Sequence, residues 1–436
     1  MIRCTLTLAL LLAAPLGAQH PTFTPDRPDG IYTAGEKVRW TATLPKGAKP
    51  ATTYRWVVRK DGGDSLSSGT LAFRNGRARL ETSLAEPAML LVEVMPAVRD
   101  TTFGDRSTGG PGRVRLGAAV APSRIAAAEP APDDFDAFWA GKLAQLRAVP
   151  LEPVVKAGES GVAGVEWGTF RVNNVEGARV YGHFAKPARD GKFPALVMFH
   201  WASPPYPLQK EWITGHARAG WLVLGVMPHD VPADMPQAFY DALPALVRNY
   251  HLVGQHDRDE SYFLRMYLGT YRALEYLKTR PDWDGRTIVV TGTSMGGQQS
   301  FVAAALDTSV SGLVVNVPAG ADVTARLHGR MPSYPNWNVA DPAVRQAARY
   351  FDPVNFAPRI TARSMVAAGF IDDVSTLTGI WAVFNGIRGP KEMVPMAAPH
   401  NHLATKAQLE PWDRRSQQWL DALREGRDPM SWRSMP

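Results

Sequence analysis

The chain has 436 residues, of which 45% are hydrophobic and 20% charged, so it has the composition of a globular protein with enough sequence for two domains and is not a disordered chain. Its formal net charge of +7 is spread without runs of Lys and Arg, so we expect no nucleic-acid partner. Cys4 is the only cysteine and lies in the N-terminal segment, so we expect no disulfide, thiol nucleophile or cysteine metal site after it.

Residues 1–18 have the features of a secretory signal peptide. Arg3 precedes a mostly apolar stretch over 6–16, and Gly17-Ala18 is typical of a cleavage site. The apolar stretch is too short to span a membrane, and no later segment reaches 18 uninterrupted apolar residues. We therefore expect a secreted or periplasmic protein without membrane insertion.

Residues 19–116 are predicted to form a small all-β domain, an immunoglobulin-like sandwich. Short β-type runs alternate there with clusters of Gly, Pro and Asp, the residues that reverse a chain. The predicted strands are 37–43, 53–59, 70–73, 78–82, 89–95 and 113–116. This segment carries no catalytic set, so we expect it to pack against the following domain or to orient substrate for it.

Residues 117–132 are rich in Ala and Pro and have no sustained period, which indicates a linker. The remaining segment, 133–436, alternates apolar strand-like runs with helical patterns, as a mostly parallel sheet covered on both faces does. The predicted strands are 168–172, 178–184, 195–199, 222–226, 287–291, 313–317, 364–368 and 393–396. The predicted helices are 135–147, 260–279, one that begins near 298, and 411–423.

A strand, a tight turn and a helix are predicted in succession at 286–306. The β-branched run 287–291 is followed by Gly-Thr-Ser-Met-Gly at 292–296, which matches the G-x-S-x-G nucleophile elbow. Small residues are needed two places on either side of the serine because the backbone is strained at such a turn. We therefore predict an α/β-hydrolase fold with Ser294 as the nucleophile; a structural turn serine is the alternative.

A serine nucleophile needs a base that takes its proton and a carboxylate that orients the base, in the chain order Ser, acid, His for this fold. Asp372 and Asp373 follow the predicted strand 364–368, and we favour Asp372; capping of the next helix is the alternative for both. His400 and His402 are the only histidines after the acid, in the loop between the last strand and the last helix. We favour His400.

An oxyanion hole requires two backbone amides directed at the developing negative charge. One is expected at Met295, directly after the nucleophile, and we place the other at Ala202, in the loop after the predicted strand 195–199. The aromatic residues Trp201, Tyr334 and Trp337 are candidate substrate-binding residues that would stack on sugar rings, with packing in the core or a lid as an equal alternative.

The histidine pair also supports a competing hypothesis. His400 and His402 could share a metal ion with Asp372 or Asp373, because the side chains of a His-x-His sequence can turn toward one ion. This hypothesis leaves the serine turn unexplained, and no third histidine has a matching spacing. We therefore predict neither a metal nor an organic cofactor.

Several short segments of the second domain are similar to one known family. They are DFDAFW at 134–139, GTSMGG at 292–297, YFD at 350–352 with NFA at 355–357, GFID at 369–372, and FNGI at 384–387 leading to KE at 391–392. Together they resemble the acetyl xylan esterase and cephalosporin C deacetylase family of α/β-hydrolases, over about residues 133–423. The resemblance implies Ser294, Asp372 and His400 as the triad, main-chain donors at Ala202 and Met295, and removal of acetyl groups from xylan-type sugars.

The chain departs from the family pattern around the site. Met295 stands where the family has Gln, Asn401 where a Glu commonly follows the histidine, and residues 200–202 read His-Trp-Ala in place of His-Gly-Tyr. Residues 228–230 read Pro-His-Asp where the family has Arg-Gly-Gln. Because that motif helps to shape the family's site, acyl specificity and site assembly are where we expect this chain to differ.

The sequence thus predicts a secreted serine esterase that acts on an acetylated polysaccharide or oligosaccharide such as xylan. One alternative is another acyl substrate, such as a feruloyl ester or a peptide; another is a carbohydrate-binding protein that has lost turnover. The β-propeller of prolyl-oligopeptidase-type enzymes is too large for residues 21–116. The family forms ring-shaped hexamers, so a homo-oligomer is among the expected states, although the extra N-terminal domain would stand in its way.

Overall fold

The computed structural model describes residues 20–48, 50 and 52–431 of the chain. The predicted signal peptide over 1–18, with Cys4, lies outside the described residues. Within these residues, no helix has both the length and the apolar character needed to cross a membrane.

Eight strands in the N-terminal part form two sheets around one core. They are β1 (Thr22–Pro25), β2 (Ile31–Tyr32), β3 (Lys37–Thr43), β4 (Tyr54–Lys60), β5 (Ser65–Thr70), β6 (Arg77–Ser83), β7 (Ala88–Pro96) and β8 (Val114–Val120). One sheet has the order β1-β3-β6 and the other the order β2-β8-β7-β4-β5. Val38 and Trp40 of β3 share a buried cluster with Val92 and Val94 of β7, as alternating residues facing one core do. The predicted strand character is confirmed, whereas the immunoglobulin-like type stays a prediction.

Among the N-terminal strands, β5 and β8 depart from their predicted bounds. Strand β5 ends at Thr70, where the sequence predicts a strand over 70–73. Its residues are mostly polar and it lies at the edge of the sheet, so it lacks the apolar alternation that marks a strand. Strand β8 continues to Val120, inside the predicted linker 117–132, because its last residues are buried between the two parts of the chain.

The later strands form one nine-stranded sheet, and helices cover both of its faces. The strands are β9 (Val154–Gly158), β10 (Val165–Asn173), β11 (Arg179–Pro187), β12 (Phe193–Phe199), β13 (Leu222–Val226), β14 (Trp283–Thr293), β15 (Gly312–Asn316), β16 (Arg363–Gly369) and β17 (Lys391–Met396). The helices are α1 (Phe135–Arg147), α2 (Glu211–Arg218), α3 (Gln237–Asp241), α4 (Ala245–Arg248), α5 (Tyr262–Thr279), α6 (Met295–Leu306), α7 (Pro342–Ala348), α8 (Pro353–Phe356), α9 (Leu377–Gly386) and α10 (Lys406–Arg424).

The sheet is mixed, with the order β17-β16-β15-β14-β12-β13-β11-β10-β9. Strands β12 to β17 pair in parallel, and β9, β10 and β11 form an antiparallel end. Neighbouring residues of β14 enter different cores: Val290 packs with residues of α5 and α6, and Val289 with residues of α2 and α10. Burial on both faces explains the continuous apolar runs of the central strands, and the predicted α/β architecture is confirmed.

The N-terminal sheets contact the loop that follows β16. They also contact the segment between β15 and β16, where the Met331 amide donates to the Asp61 carbonyl at 2.8 Å. Arg115 of β8 forms an ion pair with Asp373 at 2.7 Å, and its own side chain is only 11% exposed. A Cβ atom at Gly117 would lie 2.5 Å from the Phe370 carbonyl oxygen, so β8 and this loop are in close backbone contact. The N-terminal sheets therefore pack beside the residues that carry the candidate acid.

Candidate active site

Ser294 lies at a sharp turn between β14 and α6. Its backbone angles are φ 56° and ψ −119°, in a region that residues with a Cβ atom rarely adopt. The turn is held by the Ser294 amide, which donates to the Asn316 carbonyl at 2.9 Å. The Ser294 carbonyl accepts from the amides of Gln298 at 3.1 Å and Ala319 at 3.0 Å. The strained conformation is therefore fixed by the neighbouring strand and by the first turn of α6.

The glycines around the serine are required by close backbone packing. A Cβ atom at Gly292 would lie 2.3 Å from the carbonyl carbon of Gly296, and one at Gly296 would lie 2.2 Å from the Phe199 carbonyl oxygen. At Gly297 it would lie 2.9 Å from Pro318 Cβ. Helix α6 thus begins against the end of β12, which brings the nucleophile close to the loop after β12.

We predict that Gly296→Ala lowers the free energy of unfolding by about 1–3 kcal/mol, because the new methyl group forces α6 away from β12. The matched control is Gly141→Ala in α1, where a Cβ atom would meet no heavy atom within 4 Å. That substitution should stabilise the fold by about 0.5–1 kcal/mol, since alanine has the higher helix propensity. Urea unfolding of both variants measures the difference, and a stabilised Gly296→Ala variant would contradict the packing argument.

The structure brings the three predicted triad residues into one hydrogen-bonded chain. His400 Nε2 lies 2.9 Å from Ser294 Oγ, and His400 Nδ1 lies 2.8 Å from Asp372 Oδ2. The His400 side chain is 5% exposed and that of Asp372 is 0% exposed. Since a carboxylate only accepts, we assign the proton to His400 Nδ1, which leaves Nε2 free to accept from the serine hydroxyl.

The loop after β16 orients the Asp372 carboxylate. Its second oxygen, Oδ1, accepts from the amides of Val374 at 2.9 Å and Ser375 at 2.8 Å. Helix α9 begins later, with Thr376 at its N-cap, so Asp372 is held by a turn and does not cap that helix. The neighbouring candidate Asp373 is paired with Arg115.

His402, the other candidate base, has a different environment. Its ring centroid lies 5.4 Å from that of His400, and its side chain is exposed. The part of the His402 ring that is shielded from water lowers its pKa, and the neighbouring His400 lowers it further. No group of three or more His, Cys, Asp or Glu side chains arranged to hold a metal ion occurs within residues 20–48, 50 and 52–431. Of the two histidines, His400 is the one whose ring nitrogens lie within hydrogen-bond distance of the serine and the acid.

The two predicted oxyanion donors lie on elements that are tied together. Met295 is the first residue of α6, where backbone amides have no partner within the helix. Ala202 lies in the loop after β12 and is 1% exposed. Gln299 of α6 donates through Nε2 to the His200 carbonyl at 2.8 Å, so the helix holds that loop directly. Sequence reasoning did not single out Gln299, because a glutamine one turn into a helix has no signal of its own.

The three aromatic candidates have different environments. Trp201 is 41% exposed and stacks on Tyr206 with a centroid separation of 4.2 Å. Trp337 is 5% exposed, and its indole nitrogen donates to the His251 carbonyl at 2.6 Å. Its burial favours the core-packing alternative for Trp337, whereas Trp201 keeps an accessible surface in the loop after β12.

Tyr334 is half-buried and is linked to the serine turn through a second tyrosine. Its hydroxyl is hydrogen-bonded to the Tyr250 hydroxyl, which lies 2.6 Å from Met295 Sδ. Burial raises the pKa of Tyr334 to about 12, so its hydroxyl stays protonated at neutral pH. Tyr334 is therefore connected through Tyr250 to the residue that follows the nucleophile, and sequence spacing gave no sign of Tyr250.

The nine-stranded sheet, with the serine turn between its central strand β14 and helix α6, is an α/β-hydrolase fold. Residues 124–328 match the family model of acetyl xylan esterase, AXE1. The chain is 27% identical over 378 residues to the acetyl esterase Axe7A of Xylanibacter ruminicola, an alignment that covers 84% of this chain and 83% of that protein.

Two solved structures share the fold. The acetyl xylan esterase from Paenibacillus sp. R4 aligns with a TM-score of 0.58 and 21% identity, over 68% of this chain and 98% of that one. The acetyl xylan esterase 1 from Thermoanaerobacterium sp. JW/SL YS485 aligns with a TM-score of 0.57 and 21% identity, over 69% of this chain and 97% of that one. The predicted resemblance to the acetyl xylan esterase family is confirmed, and the chain is a carboxylic-ester hydrolase.

Proposed function

We propose that this hydrolase is an exported serine esterase that removes acetyl groups from xylan or a related acetylated saccharide. The observation that carries the proposal is the hydrogen-bonded chain from Ser294 through His400 to Asp372, which begins at a strained serine between a central strand and a helix. The names of the similar proteins support the acetyl group and the xylan-type sugar. The apolar stretch of the first 18 residues supports export.

In the proposed first half-reaction, Ser294 Oγ attacks the acetyl carbonyl carbon while His400 Nε2 takes the serine proton. Negative charge moves to the carbonyl oxygen, where the amides of Ala202 and Met295 would receive it. The tetrahedral intermediate collapses when the bond to the sugar oxygen breaks, and His400 gives its proton to that oxygen. The deacetylated sugar leaves, and the acetyl group stays on Ser294.

In the second half-reaction a water molecule replaces the sugar. His400 Nε2 takes a proton from the water as the oxygen attacks the acetyl carbon, and then returns a proton to Ser294 Oγ as acetate leaves. Asp372 stabilises the imidazolium in both halves, and the two amides on its other oxygen keep the carboxylate in place. Apart from the substrate and this water molecule, every group in the two proposed steps belongs to the chain.

The proposed saccharide specificity rests on an aromatic residue in the loop that carries the second proposed oxyanion donor. Trp201 directly precedes Ala202 in that loop, and the residue is 41% exposed. A stacked, partly exposed indole is suited to the flat apolar face of a sugar ring. The Tyr250 hydroxyl lies 2.6 Å from Met295 Sδ and is hydrogen-bonded to the Tyr334 hydroxyl, so aromatic residues also stand near the other proposed donor. We therefore propose a small acyl group combined with a saccharide leaving group.

We expect the protein to release acetate from acetylated xylan and from an aryl acetate, and to hydrolyse a feruloyl ester of the same sugar roughly 10–200-fold less efficiently, because a small acyl pocket excludes the larger group. Comparison of kcat/KM for the three substrates measures this preference. Faster feruloyl release would favour the other acyl substrate, and xylan binding without hydrolysis of any ester would favour a carbohydrate-binding protein.

A further inference from the structure

The loop that carries the second oxyanion donor is held at three successive backbone carbonyls, and each accepts from a different side chain. The carbonyl of His200 accepts from Gln299 Nε2 at 2.8 Å, that of Trp201 from the Tyr206 hydroxyl at 2.9 Å, and that of Ala202 from His229 Nε2 at 2.5 Å. Tyr206 belongs to the loop itself, whereas Gln299 and His229 lie outside it. The loop conformation is therefore held by one internal contact and by two contacts from other elements.

The last two of these hydrogen bonds bear on the oxyanion hole. The Trp201 carbonyl and the Ala202 amide belong to one planar peptide group, so a donor that holds the carbonyl also sets the direction of the amide. The Ala202 carbonyl belongs to the next peptide plane. Tyr206 holds the first peptide plane and His229 holds the second. With both planes held, the direction of the Ala202 N–H is fixed.

His229 is itself oriented by a second hydrogen bond. It is 3% exposed, and its Nδ1 lies 2.8 Å from the Tyr262 hydroxyl at the start of α5. Because the Ala202 carbonyl only accepts, Nε2 carries the proton. Burial lowers the pKa of His229, so the ring is neutral and Nδ1 accepts from Tyr262. The tautomer and orientation of the ring are thereby fixed by its two partners.

We infer that His229, oriented by Tyr262, is a positioning residue that holds the peptide plane after Ala202 and, together with Tyr206, fixes the direction of the Ala202 amide in the oxyanion hole. The inference deepens the proposed function and rests on its assignment of that amide. His229 lies in the loop that follows β13, so the loop after β12 is supported from the end of the neighbouring parallel strand.

The test compares two amide replacements of His229 on an aryl acetate, which requires no saccharide. In His229→Gln the amide nitrogen stands at the level of Nε2 and can donate to the Ala202 carbonyl. In His229→Asn the amide group stands at the level of Nδ1 and can reach only Tyr262. We expect His229→Asn to lower kcat about 10–100-fold with little change in KM, and His229→Gln to recover most of the rate. Tyr262→Phe should give a smaller loss in kcat.

Two further measurements separate positioning from a general loss of structure. Methylboronic acid forms a tetrahedral adduct on a catalytic serine, so its affinity should fall in parallel with kcat in His229→Asn and recover in His229→Gln. Amide hydrogen exchange over 200–206 should be faster in His229→Asn and close to wild type in His229→Gln. Equal effects of the two replacements, or an unchanged kcat with a lower melting temperature, would overturn the inference.

Failure of the proposed function gives a different pattern. In that case the wild-type protein shows no Ser294-dependent hydrolysis of the aryl acetate, whatever stands at position 229. The exchange measurement over 200–206 still applies then, because it follows the loop and not the reaction. Unchanged exchange in His229→Asn would show that His229 does not hold the loop.

Discussion

Replacement of Ser294 by alanine is expected to lower kcat for acetyl esters by about 10⁴–10⁶-fold, since no other group in the proposed mechanism can form the acetyl intermediate. KM should change little, because the hydroxyl contributes to the transition state and not to ground-state binding. The expected result follows from the 2.9 Å separation of Ser294 Oγ and His400 Nε2. Steady-state kinetics on an aryl acetate and on acetylated xylan measure it.

The matched control for this substitution is Ser68→Ala, an exposed serine of β5 in the N-terminal sheets. It should retain the activity and the circular dichroism spectrum of the wild-type protein. A Ser294→Ala variant that keeps its activity would remove the serine from the mechanism. Activity that appears only after addition of a divalent metal ion would direct attention to the histidine pair at 400 and 402.

Alanine replacements of the two histidines are expected to have opposite outcomes. His400→Ala should lose about 10⁴–10⁶-fold in kcat, because it removes the base that Asp372 orients toward the serine. His402→Ala should stay close to wild type, because its side chain is exposed and the hydrogen bonds of Ser294 Oγ and Asp372 Oδ2 go to His400. The pair is a matched comparison, since both positions lie in one loop and receive the same change.

The same kinetic assay on an aryl acetate decides between the alternatives for the histidines. A large loss in His402→Ala alone would make His402 the base and require a different loop conformation. A large loss in both variants, reversed by a divalent metal ion, would support the metal hypothesis. Melting temperatures of the two variants serve as the control for folding.

Much of the site could be predicted because its parts are local or follow from chain order. The serine turn requires small residues at fixed spacing, and the close approach of Gly296 to Phe199 gives the physical reason. The acid and base follow the later strands β16 and β17, so they could be sought at the ends of those strands. Helix α1 matches its predicted range, 135–147, because its apolar residues recur at helical spacing.

Elements that lack a local motif or a regular apolar spacing were either not predicted or were given the wrong bounds. Helix α9 was not predicted because all of its residues from 377 to 384 are buried, so this part has no polar face to give an amphipathic signal. Helix α10 was expected from 411, yet it begins at Lys406, where a capping box between Thr405 and Gln408 starts the helix ahead of Pro411. Asp133 and Asp134 precede α1 and are typical N-cap residues, yet the Asp134 side chain makes no cap hydrogen bond and instead accepts from Tyr350 and Arg258.

The supports of the oxyanion loop could not be predicted for another reason. His229 and Tyr262 are 33 residues apart in the sequence. His229 precedes the candidate acid, so chain order excludes it as the catalytic base and gives it no other role. Chain order identifies a base, but it carries no information about a histidine that holds a backbone carbonyl. Contacts of this kind depend on the packing of loops against α5 and α6, which no periodicity in the sequence encodes.

The most direct test of the central claim, a nucleophilic Ser294, is reaction with a fluorophosphonate, whose fluoride is displaced by an activated serine oxygen. We expect one phosphonyl group per chain, located by peptide mass spectrometry on Ser294, absent in Ser294→Ala and strongly reduced in His400→Ala. A label on another residue in an active protein, with Ser294 unmodified, would show that Ser294 is not the nucleophile.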